Sequence, residues 1–164
     1  MKKHFLDATR PLLLFLIVVT PFYLKAQDLR NVLERTWWGH GQIRTDIVEG
    51  GTLLVSFELR EVKVSDDNTV TAKLTETFTL NGKSYRRKSG MQGTIYMSQN
   101  KVELKDVYVI SSDGLPNPFS WDDNSFYLTV GRNRDVPGGY AMSGSGKSGV
   151  TSFSKVWFQD TQYY

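Results

Sequence analysis

From Thr36 onward apolar and polar residues alternate in short runs. Turn-forming clusters punctuate them: Asp-Asp-Asn (66–68), Asn-Gly (81–82), Gln-Asn (99–100), Asp-Asp-Asn (122–124) and Pro-Gly-Gly (137–139). Alternation with a period of two marks strands with one buried face, because successive side chains point to opposite sides of a pleated backbone. The runs predict strands near 36–44, 51–64, 69–80, 83–97, 101–111, 125–131, 139–145 and 150–159. One stretch breaks the rhythm. Gln27–Arg35 sets Leu29, Val32 and Leu33 at helical spacing behind a capping Asp28, which predicts one or two turns of helix. No helical crossover separates the strands, so neighbours are expected to pair antiparallel as a meander. The expected fold class is all-β: an eight-stranded antiparallel up-and-down barrel with a short N-terminal helix, wide enough for a core or one small ligand. A two-sheet β-sandwich is the alternative.

Turn chemistry fixes the register. Asn-Gly is the strongest signal for a two-residue hairpin. At 81–82 it sets Leu80 opposite Lys83, and then Phe78 opposite Tyr85, Glu76 opposite Arg87 and Ala72 opposite Met91. A two-residue turn at Gln99-Asn100 predicts Met97 opposite Val102, Ile95 opposite Leu104 and Met91 opposite Tyr108. Both registers place one apolar phase on a single face, with three charges among it: Glu76, Arg87 and Asp106. The apolar phase of the second strand changes between Leu59 and Val62, which predicts a β-bulge near Arg60-Glu61.

The leading segment reads differently. Lys2, Lys3 and Arg10 precede or open an apolar run from Pro11 to Leu24, and Ala26 supplies a small residue ahead of Gln27. This is the layout of a secretory signal peptide, too short for a membrane span of about 20 apolar residues. Residues 1–26 are expected to be a leader resembling bacterial export signals, and 27–164 a single domain, periplasmic or extracellular. The net charge of +3 then changes meaning. Of 20 Lys+Arg and 17 Asp+Glu the leader holds four and one, leaving 16 of each. A neutral domain gives no support to a nucleic-acid partner.

Candidate chemistry is sparse. The chain has no cysteine, which excludes disulfides, a thiol nucleophile and a thiolate metal site. His40 has no neighbours at metal-ligand spacing. Gly144-Ser145-Gly146-Lys147-Ser148 lacks the first glycine of a phosphate-binding loop, where Ala141 stands, and a strand follows it rather than a helix. Asp66-Asp67 and Asp122-Asp123 fall in turn signals, and turn chemistry accounts for them. Neither an enzyme nor a cofactor nor a metal is expected.

The charged trio has two readings: a partly solvated cross-strand pair at a barrel mouth, worth about 0.2–1 kcal/mol, or a polar anchor in a ligand cavity. The longest connection, 112–124, carries Leu115 just before its two prolines and Phe119 and Trp121 just after them. In an up-and-down barrel it shares a rim with Asn81-Gly82, either as a lid over the mouth or as a small satellite cluster.

The plug helix, the Trp-bearing first strand (Thr36-Trp37-Trp38), the meander and the last strand (Thr151-Ser152-Phe153-Ser154-Lys155-Val156) together resemble the calycins, the lipocalin-like and avidin-like barrels. Arg35 stands where the lipocalin pattern has a glycine. The resemblance implies that Trp37 packs at the closed end beneath Lys155 as a cation–π pair. It also implies that the barrel binds a small apolar or amphipathic molecule. The candidate ligand-binding set is Phe57, Glu76, Tyr85, Arg87, Met91, Asp106, Tyr108, Phe119 and Trp121.

The expected function is that of an exported small-molecule-binding protein. The alternative is a protein-interaction or inhibitor domain with a filled core, acting through a patch of Phe119, Trp121, Tyr96 and Tyr127. An outer-membrane barrel is disfavoured. It would turn the apolar phase, with Glu76, Arg87 and Asp106, toward lipid, where a basic residue near the midplane costs about 2–4 kcal/mol.

Overall fold

A computed structural model describes residues 29–45, 50–149 and 151–161. The expected leader, its cut before Gln27 and the Asp28 cap lie outside the described residues. Eight strands follow in chain order: β1 (Trp37–Arg44), β2 (Thr52–Val64), β3 (Thr69–Leu80), β4 (Lys83–Tyr96), β5 (Lys101–Ser112), β6 (Asn124–Arg132), β7 (Tyr140–Ser148) and β8 (Thr151–Gln159). Each pairs antiparallel with the next, and β1 closes onto β8, so the sheet is a barrel and not a sandwich. The apolar phase faces inward and charged residues such as Arg60, Lys73, Arg86 and Lys88 face out, the reverse of a lipid-facing barrel.

The hairpin at Asn81-Gly82 has the expected register, with Leu80 opposite Lys83, Phe78 opposite Tyr85 and Glu76 opposite Arg87. Both turn residues have positive φ, 51° and 77°, as a two-residue turn with the twist of its strands demands. The bulge is also where the phase change puts it. Pairing steps from Arg60–Lys73 to Lys63–Thr71, with Glu61 at φ 51°.

The next connection differs from the expectation. Met97–Gln99 form a short 3-10 turn and Asn100 takes the left-handed conformation, so four residues make the turn. Ile95 therefore meets Val102, and Met91 meets Asp106 rather than Tyr108. Two further register shifts, between Lys88 and Ser89 and between Gly90 and Met91, bend this pair of strands. They carry Tyr108 to the outside, where it is 59% exposed. Its ring lies across Gly90, where any Cβ would stand 2.2 Å from Tyr108 Cζ. Tyr108 is therefore not an interior residue.

The two ends of the barrel are unlike. At one end residues 29–33 form a helical plug that buries Leu29, Val32 and Leu33. The Trp37 indole N–H donates to the Leu33 carbonyl at 3.0 Å, satisfying a polar atom on a fully buried ring. Lys155 is exposed on the outer face, so the expected Trp37–Lys155 pair is not formed. The reason is local: the β7–β8 register shifts between Gly144 and Lys147, and Phe153 and Val156 turn inward with Ser154 and Lys155 both left outside. Above Trp37 the interior is filled by Phe57, Phe126, Phe153 and Phe158. Phe57 meets Phe126 and Phe153 edge to face, with centroids 5.2 and 5.4 Å apart.

Candidate functional site

The opposite end carries the 81–82 hairpin and the loop 113–123. The loop folds over the mouth as a lid. Phe119 and Trp121 rest on Phe78, with ring centroids 6.5 and 5.2 Å away. The Trp121 indole donates to the Asp113 carbonyl at 2.7 Å, and the Phe119 amide to Pro116 at 2.9 Å, so the loop holds its own shape. Beneath it lies a cavity of about 210 Å3, walled by Ile43, Leu53, Val55 and Phe78, roofed by Pro118, Phe119 and Trp121, with Glu76 at its inner end. Pro118 and Phe119 also line an open groove of about 600 Å3 outside β2 and β3.

The charged trio is buried, not partly solvated. Glu76 is 3% and Arg87 2% exposed. Cross-strand register sets Glu76 beside Arg87, yet the ion pairs of Arg87 are with Asp106, buried and 3.2 Å away, and with the exposed Asp123. Arg87 also donates to the backbone carbonyl of Asp122 and to the carboxylate of Asp123, 2.9 Å away. Asp106 accepts from the Ser89 hydroxyl at 2.6 Å and from the Asn124 amide N–H at 2.8 Å. The Asn124 side-chain amide donates to Glu76 at 2.8 Å. One network thus joins β3, β4 and β5 to the end of the lid. Asp122 and Asp123 are therefore more than turn residues: they fasten the loop to Arg87.

Burial sets the titration. Loss of water pushes the Glu76 carboxyl up from its ordinary 4.5 to about 7, against the opposing pull of the Asn124 hydrogen bond and the Arg87 charge. Asp106 is also raised by desolvation, opposed by its bonds from Asn124 and Ser89 and by Arg87. For Glu76 the folded chain keeps its proton to a higher pH than the unfolded chain. Between pH 4.5 and about 7 the unfolded state is ionised first, so stability falls as pH rises through that window. The drop from this group is about 3 kcal/mol, level above pH 7. Chemical denaturation between pH 4 and pH 8 is expected to show it. Glu76→Gln is expected to remove most of it, and an unchanged slope in that variant would assign the drop elsewhere.

Of the candidate ligand-binding residues, the cavity is lined by Glu76, Phe119 and Trp121. Arg87 and Asp106 stand beside it in the network. Phe57 and Met91 belong to the filled core, and Tyr85 stacks on Phe78 with Lys83 over its ring. Tyr108 lies outside, as described. The proposed aromatic surface patch is divided: Phe119 and Trp121 are at the mouth, whereas Tyr96 flanks the 97–100 turn at the other end. Residues the sequence did not single out are Ser89, Asn124, Leu53 and Phe78. Phe78 had a signal, since it lies on the apolar phase two residues from Glu76 and next to the hairpin. Asn124 had none, because its Asp-Asp-Asn context reads as a turn. Among the described residues no three His, Asp or Glu side chains gather as a metal would require.

No family model, no curated protein and no solved structure matches the chain.

Proposed function

We propose that the protein is an exported binding module that holds a small amphipathic molecule beneath loop 113–123. The ligand's apolar body lies against Phe78, Phe119 and Trp121, and a hydrogen-bond donor, best an amine, meets Glu76. The observation that supports this most directly is a buried carboxyl at the inner end of a cavity under an aromatic lid, with an apolar wall of Ile43, Leu53, Val55 and Phe78 and a polar rim that includes Arg44, Thr45 and Thr151. Among the described residues Asn124 is the sole hydrogen-bond partner of that carboxyl. A donor from a ligand restores what burial removed, and a charged donor does so most strongly. At about 210 Å3 the space is smaller than the ~300–1,000 Å3 of drug-sized sites, which points to a single ring or short chain. The leader-like residues 1–26 support export.

Native mass spectrometry of protein purified from its host is expected to show a small-molecule adduct. Titration with single-ring and short-chain amines, followed by the fluorescence change that Trp121→Phe removes, is expected to saturate. Affinity should fall up to tenfold per pH unit below about 7, as Glu76 takes up a proton. Glu76→Gln is expected to lose the preference for amines over matched carboxylates. Equal binding of both classes by the unaltered protein, or no adduct and no saturation, sinks this reading.

A further inference from the structure

The two ends of one buried amide are unequally served. Asn124 is 1% exposed, and its side-chain N–H donates to Glu76 Oε2 at 2.8 Å. Its Oδ1 is buried and receives no hydrogen bond from the described residues. Burying an acceptor bare is costly, so such an atom normally finds a donor. Among the described residues the other buried side-chain atom without a partner, Arg87 Nε, is a donor, but it does not bond Oδ1.

Glu76 can supply the missing donor. A carboxyl that carries its proton has an O–H to give. Carboxyl and carboxamide are planar groups of matching size. Once one N–H···O bond joins them, a second bond, O–H···O, can close between their remaining oxygens. The ionised carboxyl cannot close it, because both of its oxygens are then acceptors. The surrounding charges also favour the neutral form. Arg87 on β4 draws Glu76 toward ionisation, but Arg87 is already paired with Asp106 on β5 and with Asp123. Asp106 and, from the lid, Asp122 oppose a further negative charge, and β2 sets the apolar Phe57 opposite Glu76.

We propose that Asn124 is the positioning residue of the site: it holds the proton of Glu76 in a two-bond acid–amide pair, and an amine binds by taking that proton's place. The last clause rests on the ligand reading above; the pair itself does not. When a protonated amine arrives, the carboxyl O–H bond breaks, the proton passes to water and the carboxylate keeps the ammonium group. Asn124 thereby sets how strongly the unliganded site resists ionisation.

Carbon-13 NMR of the unliganded protein between pH 5 and pH 8 tests the pair. The Asn124 Cγ signal is expected to move downfield as pH falls, with the midpoint of the Glu76 Cδ signal, because Oδ1 gains a donor. Glu76→Gln offers an N–H where the acid offers its O–H. In that variant Asn124 Cγ is expected to stay at its low-pH position throughout. The infrared C=O band of protonated Glu76 is expected to rise in Asn124→Leu, which removes both bonds. An Asn124 Cγ signal indifferent to the Glu76 titration overturns the proposal, as does an infrared band that Asn124→Leu leaves in place. Calorimetry of amine binding at pH 6 in buffers of different ionisation enthalpy is expected to show about one proton released per amine. Binding without proton release overturns the displacement. An intact pair with no amine binding strikes the ligand reading and leaves the pair standing.

Discussion

Arg87→Ala is expected to lower the unfolding free energy by about 3–5 kcal/mol, the cost of leaving a buried charge without its partner. The side chains of Arg87 and Asp106 are 3% and 1% exposed, so water cannot take over when the guanidinium is removed. Asp106 would keep its bonds from Ser89 and Asn124 but lose its counter-charge, and Asp122 and Asp123 would lose their hold on β4. The size of the effect separates this arrangement from a solvated surface pair, for which about 0.2–1 kcal/mol is the measured range. The intact pair is not thereby a large source of stability, since desolvation offsets much of the attraction. Urea denaturation of Arg87→Ala and of the double variant Arg87→Ala with Asp106→Asn checks this. The double variant is expected to recover part of the loss, whereas strictly additive losses would show that the pair is not coupled.

Phe57→Ala is expected to cost about 3–5 kcal/mol, through the lost transfer of a phenyl ring and the cavity it leaves. Phe57 sits at the centre of the aromatic cluster, touching Phe126, Phe153 and Phe158 with centroids 5.2, 5.4 and 5.8 Å away. Strands β1, β2, β6 and β8 surround it, and a closed barrel has little freedom to collapse inward. Thermal denaturation measures the loss. The same variant is expected to leave amine binding under the lid unaltered, because Phe57 does not line that cavity. A loss of binding greater than the loss of stability explains would return Phe57 to the ligand site.

The strands, the 81–82 register and the bulge near Arg60 were legible because each rests on local chemistry: alternation, a turn requiring positive φ, a phase change within one strand. The β4–β5 register was not, since Gln99-Asn100 is half of a four-residue turn. The slip is by two residues, which keeps every side chain near the turn on its face. Leu104 and Asp106 therefore point inward as expected although their partners differ. The bulges beyond them shift Tyr108 outward, and no residue type at 88–91 announces them apart from Gly90. The inward position of Glu76, Arg87 and Asp106 followed from parity alone. Their partners did not, because Asn124, Asp122 and Asp123 arrive from a loop whose path over the mouth is not periodic. The Trp37–Lys155 pair came from resemblance, and the register shift in the last hairpin dissolves it.

The two ends of the lid are tied to adjacent residues of β4. Asp113 exchanges hydrogen bonds with the Arg86 backbone at 2.8 and 2.9 Å, while the Arg87 side chain holds 122 and 123. The loop is thus a ring fastened at one point of the wall, and lengthening such a ring costs little, about 0.6 kcal/mol for each doubling. Everything between the clasps, the 114–120 stretch above all, is free to vary in length and composition without disturbing the barrel's strand pairing. The protein has the construction of a fixed barrel with an exchangeable lid, so that a specificity of the kind proposed above would be rewritten within one short loop and inherited apart from the fold.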